Sequence, residues 1–272
     1  MKRLFFIFPL ICSISVCNNP QTILPGGCIR NTQAEAVVTN AVKKKWFDWA
    51  NARVENEKNK FLEVYGLNVH HLNDQETITV LKLTHDQMVE KAVDHYTLRT
   101  DSIDNKDIEV VQKIANKVFV GPVPRYVQVF NDSRFTYDQV GVSHHYATNR
   151  CYVMLNSALH IKYVARLEEI LRHEYSHVIN QDDFNKELIR CAAWVNSQDT
   201  HEKVERNSHP VCQAFETRAD VYAAIHSPDH GKHLIDVFKT FAPHEGDLTH
   251  PIPCERIALL EQIKTEFDAA AK

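Results

Sequence analysis

The chain has 272 residues, of which 44% are apolar and 24% are charged, so it is long enough and apolar enough to bury a core. Acidic residues outnumber basic ones by 35 to 31, which gives a formal charge of −4. This balance leaves no basic surplus to attract a phosphate backbone, and we predict no nucleic-acid partner. Histidine is the one compositional excess, with 16 residues, and because imidazole is a common metal ligand the histidine spacing is informative.

The first 17 residues have the layout of an export signal. Lys2 and Arg3 form a basic start, residues 4–16 are uncharged and mostly apolar, and a polar stretch begins at Asn18. The apolar stretch is shorter than the roughly 20 residues that a permanent membrane helix needs. We therefore predict a signal peptide over residues 1–17, cleaved after Cys17. The alternatives are lipidation of Cys17 or an uncleaved anchor, and only these would associate the chain with a membrane.

Helical patterns dominate the residues that follow. Apolar residues at three- and four-residue spacing predict one long amphipathic helix, or two shorter ones, from Gln33 to about Leu62. A β-prone piece comes next at Thr77–Leu83, and helical patterns cover Asp86–Leu98 and Asp104–Val118. We assign residues 18–120 to an N-terminal helical extension that packs on the domain behind it.

The pattern changes at the glycine and prolines of residues 121–124. Tyr126–Phe130 alternates between apolar and polar residues, and Arg150–Leu155 is a second strand candidate, so we predict a small antiparallel sheet within residues 125–156. From about Lys162 onward the pattern is helical, in four segments separated by polar loops. A helical N-terminal part, a small sheet and a helical C-terminal part make the predicted fold class α+β.

A metal-ligand pattern occurs in the first of these C-terminal helices. His173 and His177 lie one turn apart on the same helix face, and Glu174 lies beside them. In this H-E-x-x-H arrangement two neutral imidazoles hold zinc while the carboxylate accepts a proton from water. The pattern alone is a hypothesis, because a coincidental pair of surface histidines would look the same until a third ligand is found.

Two carboxylates are candidates for that third ligand. Asp183 falls where metzincin-type enzymes place a ligand, with Asn180 in place of their glycine. The chain has no methionine after Met154, so the Met-turn of that class cannot form. The other candidate is Glu216, which shares a predicted helix face with Asp220. With Glu216 as the ligand, Asp220 would hydrogen-bond a ligand imidazole and fix its tautomer.

Three motifs together resemble a known peptidase family. The segment His173-Glu-Tyr-Ser-His177 is followed by Glu216-x-x-Ala-Asp220, and then by Thr-His250-Pro with an Arg-Ile pair that begins at residue 256. Their order and spacing are similar to those of the gluzincin peptidases related to HtpX and the CAAX prenyl endopeptidase. The likeness covers roughly residues 125–262, and we assign residues 121–272 to a zinc metallopeptidase domain of the zincin type.

The resemblance implies a role for each matched residue. Glu174 would be the general base, and Asp220 would orient a ligand from the second shell of the metal. His250 would be catalytic, by stabilising the oxyanion, or would occlude the resting site; the alternative is that it merely precedes the last helix. One zinc ion per chain would be bound by His173, His177 and Glu216.

The remaining cysteines and histidines give no sign of a second metal site. Five cysteines follow Cys17, an odd number, and no C-x-x-C occurs. In an oxidising compartment Cys191 and Cys212 are the first candidates for a disulfide. The other histidines are expected to be solvated or locally bonded: His70, His71, His144, His145, His226, His230 and His233.

The predicted function is zinc-dependent hydrolysis of peptide bonds in an exported protein of the periplasm or cell envelope. We expect a polypeptide substrate, which would pair with Arg150–Leu155 if that strand is an exposed sheet edge. Main-chain pairing reads little sequence, which favours unfolded or misassembled envelope proteins as substrates. Two alternatives stay open: a zinc-stabilised binding or chaperone module without turnover, and a secreted effector protease.

Overall fold

The structure is a computed structural model that describes residues 32–97, 105–121, 123–124, 126–132, 140–241 and 249–271. The predicted export signal and Cys28 lie outside the described residues. Within these ranges the fold is mostly helical with one small sheet, so the predicted α+β class is confirmed. The elements are α1 (Thr32–Val64), α2 (Gln75–Thr97), α3 (Asn105–Val118), β1 (Tyr126–Asn131), β2 (Val140–His145), β3 (Arg150–Leu155), α4 (Ser157–His160), α5 (Val164–Asn180), α6 (Asp182–Asn196), α7 (His201–His226), α8 (Lys232–Phe238) and α9 (Pro253–Ala270), with short 3₁₀ helices at Val69–Asn73 and Ile161–Tyr163.

The long N-terminal helix α1 forms because apolar side chains return to one face at helical spacing. Trp46 and Ala50 are buried in a cluster with residues of α7, α8 and α9. Val54 and Phe61 are buried in a second cluster with residues of α6 and α7. The predicted helix is confirmed as a single element, and it shares its core with the C-terminal helices. The domain boundary after residue 120 stays a prediction.

The three strands form one mixed sheet in the order β1–β3–β2. β1 is parallel to β3, with Tyr126 opposite Arg150, and β2 is antiparallel to β3, with Val142 opposite Val153. The predicted antiparallel sheet is therefore wrong for the β1–β3 pair. The condition for substrate pairing at Arg150–Leu155, that this strand is an exposed edge, is not met, because β3 is the central strand. Its residues 151–155 form an unbroken buried run, which is typical of a strand covered on both faces.

Helices cover both faces of the sheet. On one face, side chains of β1 and β3 pack against α3 and α5 in a cluster that includes Val111, Val153 and Leu167. On the other face, Val89 of α2 packs against Tyr152 and its neighbours. The sheet thus fixes the position of α5, the helix that carries His173 and His177.

The structure corrects the predicted strand at Thr77–Leu83, since these residues lie inside α2. Their β-branched side chains favour a strand locally. Two features override that preference: the Thr77 N–H donates to Asp74 Oδ2 at 3.1 Å at the start of the helix, and Ile78 and Leu81 pack together against the buried cluster of α1, α6 and α7. Capping and helical spacing of the apolar residues therefore decide the conformation.

Two predictions for the C-terminal half also need correction. Among the described residues, five helices follow Lys162 instead of four, because α5 and α6 are separated only by Gln181, whose left-handed backbone (φ 53°) turns the chain. Cys191 and Cys212 are free thiols, so the disulfide expected first is not formed. Cys212 Sγ instead accepts a hydrogen bond from Arg190 Nη2 at 3.7 Å.

Across the described ranges, no helix combines the length and the apolar character that a bilayer span requires.

Candidate metal centre

The two histidines of the H-E-x-x-H motif lie together on α5. His173 and His177 are one helical turn apart, and their Nε2 atoms are 3.2 Å from each other. His173 is buried and His177 is largely buried, because the side of α5 that carries them faces α7. Two imidazole nitrogens thus converge on one point within the fold.

Glu216 of α7 completes the group. Its Oε2 lies 3.2 Å from His173 Nε2, and its Oε1 lies 3.5 Å from His177 Nε2. One ligand atom from each of the three residues fits within a 4.8 Å span, and among the described residues this is the one group of three or more His, Cys, Asp or Glu with metal-binding geometry. The structure therefore brings together all three residues predicted to bind the metal.

The donor set fits a zinc ion. Two imidazole nitrogens and one carboxylate oxygen, with a fourth position left for water or substrate, are a ligand combination of catalytic zinc sites. Glu216 Oε2 is buried and, although it lies 3.2 Å from His173 Nε2, it accepts no well-directed hydrogen bond; a bound cation would satisfy it. Burial opposes ionisation of Glu216, but the neighbouring His177 and His173 outweigh it and keep the pKa of this carboxyl well below its usual range.

The outer nitrogen of His173 is held by Asp220, also on α7. His173 Nδ1–H donates to Asp220 Oδ1 at 2.9 Å, and Asp220 is fully buried. Arg256 of α9 donates two hydrogen bonds to the same carboxylate, both at 2.7 Å. Burial opposes protonation of His173, but when no metal is bound its hydrogen bond to Asp220 and its contact with Glu216 outweigh burial and raise its pKa. Asp220 thus occupies the orienting position that the sequence predicts for it.

A second carboxylate, which the sequence analysis missed, supports the other imidazole. His177 Nδ1–H donates to Asp182 Oδ2 at 2.9 Å. Asp182 is buried in the first turn of α6 and is paired with Arg218 of α7, whose Nη1 also lies 3.4 Å from Asn51 Oδ1 on α1. Both candidate ligand histidines therefore have an aspartate behind them, and each aspartate is paired with an arginine.

Asp183, the competing third-ligand candidate, lies outside the group formed by His173, His177 and Glu216. Its side chain is more than half exposed and pairs with Lys186 at 3.0 Å, and it is not part of the convergent group. The left-handed turn between α5 and α6 directs Asp182 behind His177 and leaves Asp183 on the wall of the cleft. The two adjacent aspartates thus have different surroundings.

This difference predicts unequal effects of matched substitutions. We expect Asp182→Asn to weaken zinc binding by about 10–100-fold, because loss of an outer-shell carboxylate misorients the ligand imidazole. Asp183→Asn, the control, should leave the zinc Kd within about twofold. Competition with a chromophoric chelator measures both, at a temperature where circular dichroism shows both variants folded. Equal affinities for the two variants would contradict the role assigned to Asp182.

Glu174 lies in the same cleft as the three candidate ligands. Desolvation in the cleft raises its pKa, while the nearby His173 and His177 oppose that rise. Glu174 is not one of the three residues of the convergent group, so it is not a candidate ligand. It faces the same cleft as those residues. A raised pKa makes a carboxylate a better proton acceptor, which suits a general base.

The cleft itself has a volume of about 200 Å³. His250 lies at its rim, with its side chain 43% exposed and its Nε2 3.4 Å from Glu216 Oε2. The sequence analysis did not anticipate that α2 and β2 would form part of the wall. The side chains from these elements and from the turn that follows β2 are His85, Val142, His144 and Tyr146.

No protein-family model matches the chain, and neither a curated protein nor a solved structure matches it. The assignment of a function therefore depends on the geometry of the site and on the sequence motifs.

Proposed function

We propose that the protein is a zinc-dependent endopeptidase. The observation that carries this proposal is the convergence of His173, His177 and Glu216 within 4.8 Å, with Glu174 facing the same cleft. Together these residues supply an open three-ligand metal site and an adjacent general base, which is the minimum that metal-assisted hydrolysis requires. The gluzincin family and the zincin-type fold are part of the same proposal.

Each residue of the site has a distinct task in this proposal. A bound zinc ion would supply the positive charge that activates water and polarises the scissile carbonyl. Glu174 takes the proton from the attacking water and later gives it to the leaving amine. Asp220 and Asp182 keep the outer nitrogens of the imidazoles protonated, so that the inner nitrogens present their lone pairs to the metal.

The β2 edge of the sheet, which no described strand covers, suggests how a polypeptide is held. β2 is an edge strand, and Val142 and His144 on it line the cleft beside the candidate metal site. An extended chain that pairs with β2 would lie across the cleft and present a peptide bond to it. β2 thus takes the place that the sequence analysis gave to β3. Because pairing of this kind uses the main chain, we propose unfolded or misassembled proteins of the envelope as substrates, after export directed by residues 1–17.

The test is metal analysis of the purified protein together with a casein cleavage assay. We expect about one zinc per chain, cleavage that a chelator abolishes, and recovery on adding zinc back. Zinc bound at one per chain without any cleavage would instead favour a zinc-stabilised binding module. Absence of zinc binding would contradict the proposal altogether.

His250 gives a separate prediction for this activity. Its ring lies at the rim with Nδ1 3.0 Å from Thr249 Oγ1 and Nε2 3.4 Å from Glu216 Oε2, and in this proposal the Nε2–H turns to a carbonyl oxygen that gains negative charge. We expect His250→Ala to lower kcat by about 10²–10³-fold at unchanged zinc content, as for other oxyanion donors. Peptidase rates at matched zinc occupancy measure this. A higher rate would show that His250 occludes the resting site, and a rate within about twofold of wild type would leave it only the position before α9.

A further inference from the structure

We propose that His85 of α2 acts as a stop on the substrate-pairing edge, limiting how much of a polypeptide main chain β2 can hold on one side of the cleft. This inference rests on the proposed function, because it concerns where a polypeptide lies. It adds a residue that decides substrate length, and that residue comes from the helical segment before the predicted peptidase domain.

The hairpin geometry shows which main-chain groups of β2 face the free edge. His144 lies opposite Cys151 of β3, and its carbonyl oxygen is bonded to His85 of α2, so we infer that His144 and Cys151 are a pair not hydrogen-bonded to each other. Hydrogen-bonded and non-bonded pairs alternate along an antiparallel ladder. Val140, Val142 and His144 are therefore the residues whose N–H and C=O point away from β3, and no described strand pairs with that side of β2.

His85 occupies the last of these positions. Its Nε2–H donates to the His144 carbonyl oxygen at 2.9 Å. The bond takes the acceptor that an incoming strand would need opposite His144, whereas no described side chain is bonded to the main chain of Val142. Among the described residues, the edge is thus open at Val142, beside the candidate metal ligands, and closed two residues further along.

Several contacts hold His85 at this place. The next residue on α2, Asp86, accepts hydrogen bonds from the Tyr146 and Ala147 N–H groups at 2.7 and 2.9 Å, which ties α2 to the hairpin turn. The His85 ring also packs against the Tyr146 ring, with centroids 5.1 Å apart. The stop is therefore built into the packing of α2 against the hairpin.

The direction of the effect follows from strand polarity. An added strand pairs antiparallel to β2, since that arrangement is the more stable per residue. Its N-terminal end then lies over His144 and its C-terminal end over Val140. Only alternate residues of the added strand bond to β2, so the substrate residue opposite His144 lies two positions N-terminal to the residue opposite Val142. Main-chain pairing therefore ends at about that position.

Peptide binding to the zinc-loaded Glu174→Gln protein tests this stop. A fixed core, Val-Tyr-Thr-Val-Phe-Thr, is chosen for strand propensity and is lengthened with threonine at either end. Fluorescence anisotropy gives the Kd of each labelled peptide. With His85 present, we expect the Kd to stop falling after the first few threonines are added at the N-terminus of the peptide. In His85→Ala and His85→Leu, each further main-chain bond should tighten binding by about two- to tenfold.

Two variants complete the design. His85→Gln keeps an N–H near the position of Nε2 and should retain the wild-type limit, whereas Met88→Ala, an exposed change on the same helix, should alter nothing. His85→Leu lacks the donor but keeps a side chain packed against Tyr146. If His85→Ala folds poorly, His85→Leu therefore still tests the inference. An unchanged N-terminal limit in both variants that lack the donor would overturn the inference, as would failure of every peptide to bind. A shifted limit without cleavage by the wild-type protein would instead refute the peptidase function and leave the stop standing.

Discussion

Replacing Glu174 by Gln should abolish peptide hydrolysis while leaving zinc bound. Gln has nearly the shape of Glu but cannot accept the proton of the attacking water, and loss of a positioned general base lowers rates by about 10²–10⁴-fold. Glu174 is outside the convergent ligand group, so the metal site should be unaffected. The measurement is kcat for casein-derived peptides together with zinc content by elemental analysis.

Asp183→Asn is the matched control for this substitution. Asp183 also lines the cleft, but its side chain is more than half exposed and is paired with Lys186. It should retain activity within about twofold, which would show that removing a carboxylate from the cleft is not harmful in itself. Retained hydrolysis by Glu174→Gln at full zinc content would refute the general-base assignment.

The candidate ligands could be predicted from sequence because the constraints on them are local or nearly so. The four-residue separation of His173 and His177 places them on one face of any helix. Glu216 and Asp220 are separated in the same way, so a single contact between α5 and α7 brings a ligand and its support into position together. The two motifs therefore needed only one long-range pairing to form the site.

Residues that reach the site through tertiary packing could not be predicted in this way. Asp182 and Asp183 are adjacent, and only the left-handed backbone at Gln181 decides which of them lies behind His177. His85 lies in a stretch whose β-branched residues favour a strand, and it contacts the hairpin only because α2 is a helix. The spacing of apolar and polar residues along the chain predicts neither of these contacts.

The strand order shows a similar limit. Arg150–Leu155 is the most apolar of the three strands, and this character indicates a central position. The expected pairing of a substrate with Arg150–Leu155 depended on that strand being an exposed edge, which its apolar character argues against. β2, with Gly141 and Ser143, is less apolar and less buried, as suits an edge that borders a cleft.

The N-terminal helices are part of the site's support. Asn51 on α1 lies within hydrogen-bond distance of Arg218, which pairs with Asp182 behind His177. α2 contributes His85 and Asp86 to the cleft wall and the hairpin. Helix α1 therefore contacts the arginine that pairs with Asp182, and α2 contacts the cleft wall, although no catalytic motif occurs in residues 32–97.

Replacing Glu216 by Ala should weaken zinc binding more than any outer-shell change. It removes one of three ligands and leaves two imidazoles whose Nε2 atoms are 3.2 Å apart without a neutralising carboxylate. We expect a loss greater than the about 10–100-fold assigned to outer-shell substitutions. Asp183→Ala, the control, should bind zinc as the wild type does.

Thermal unfolding with and without zinc offers a second readout of the same change. A metal that binds only the folded state stabilises it by about 2.7 kcal/mol at a concentration 100 times its Kd. The wild type and Asp183→Ala should therefore show a rise in Tm on adding zinc, and Glu216→Ala should show little or none at that concentration. Equal zinc occupancy and an equal shift in Glu216→Ala would contradict the gluzincin ligand set. In that case the third ligand would have to come from another side chain of the cleft wall, and the role of Glu216 would be limited to pairing with the two histidines.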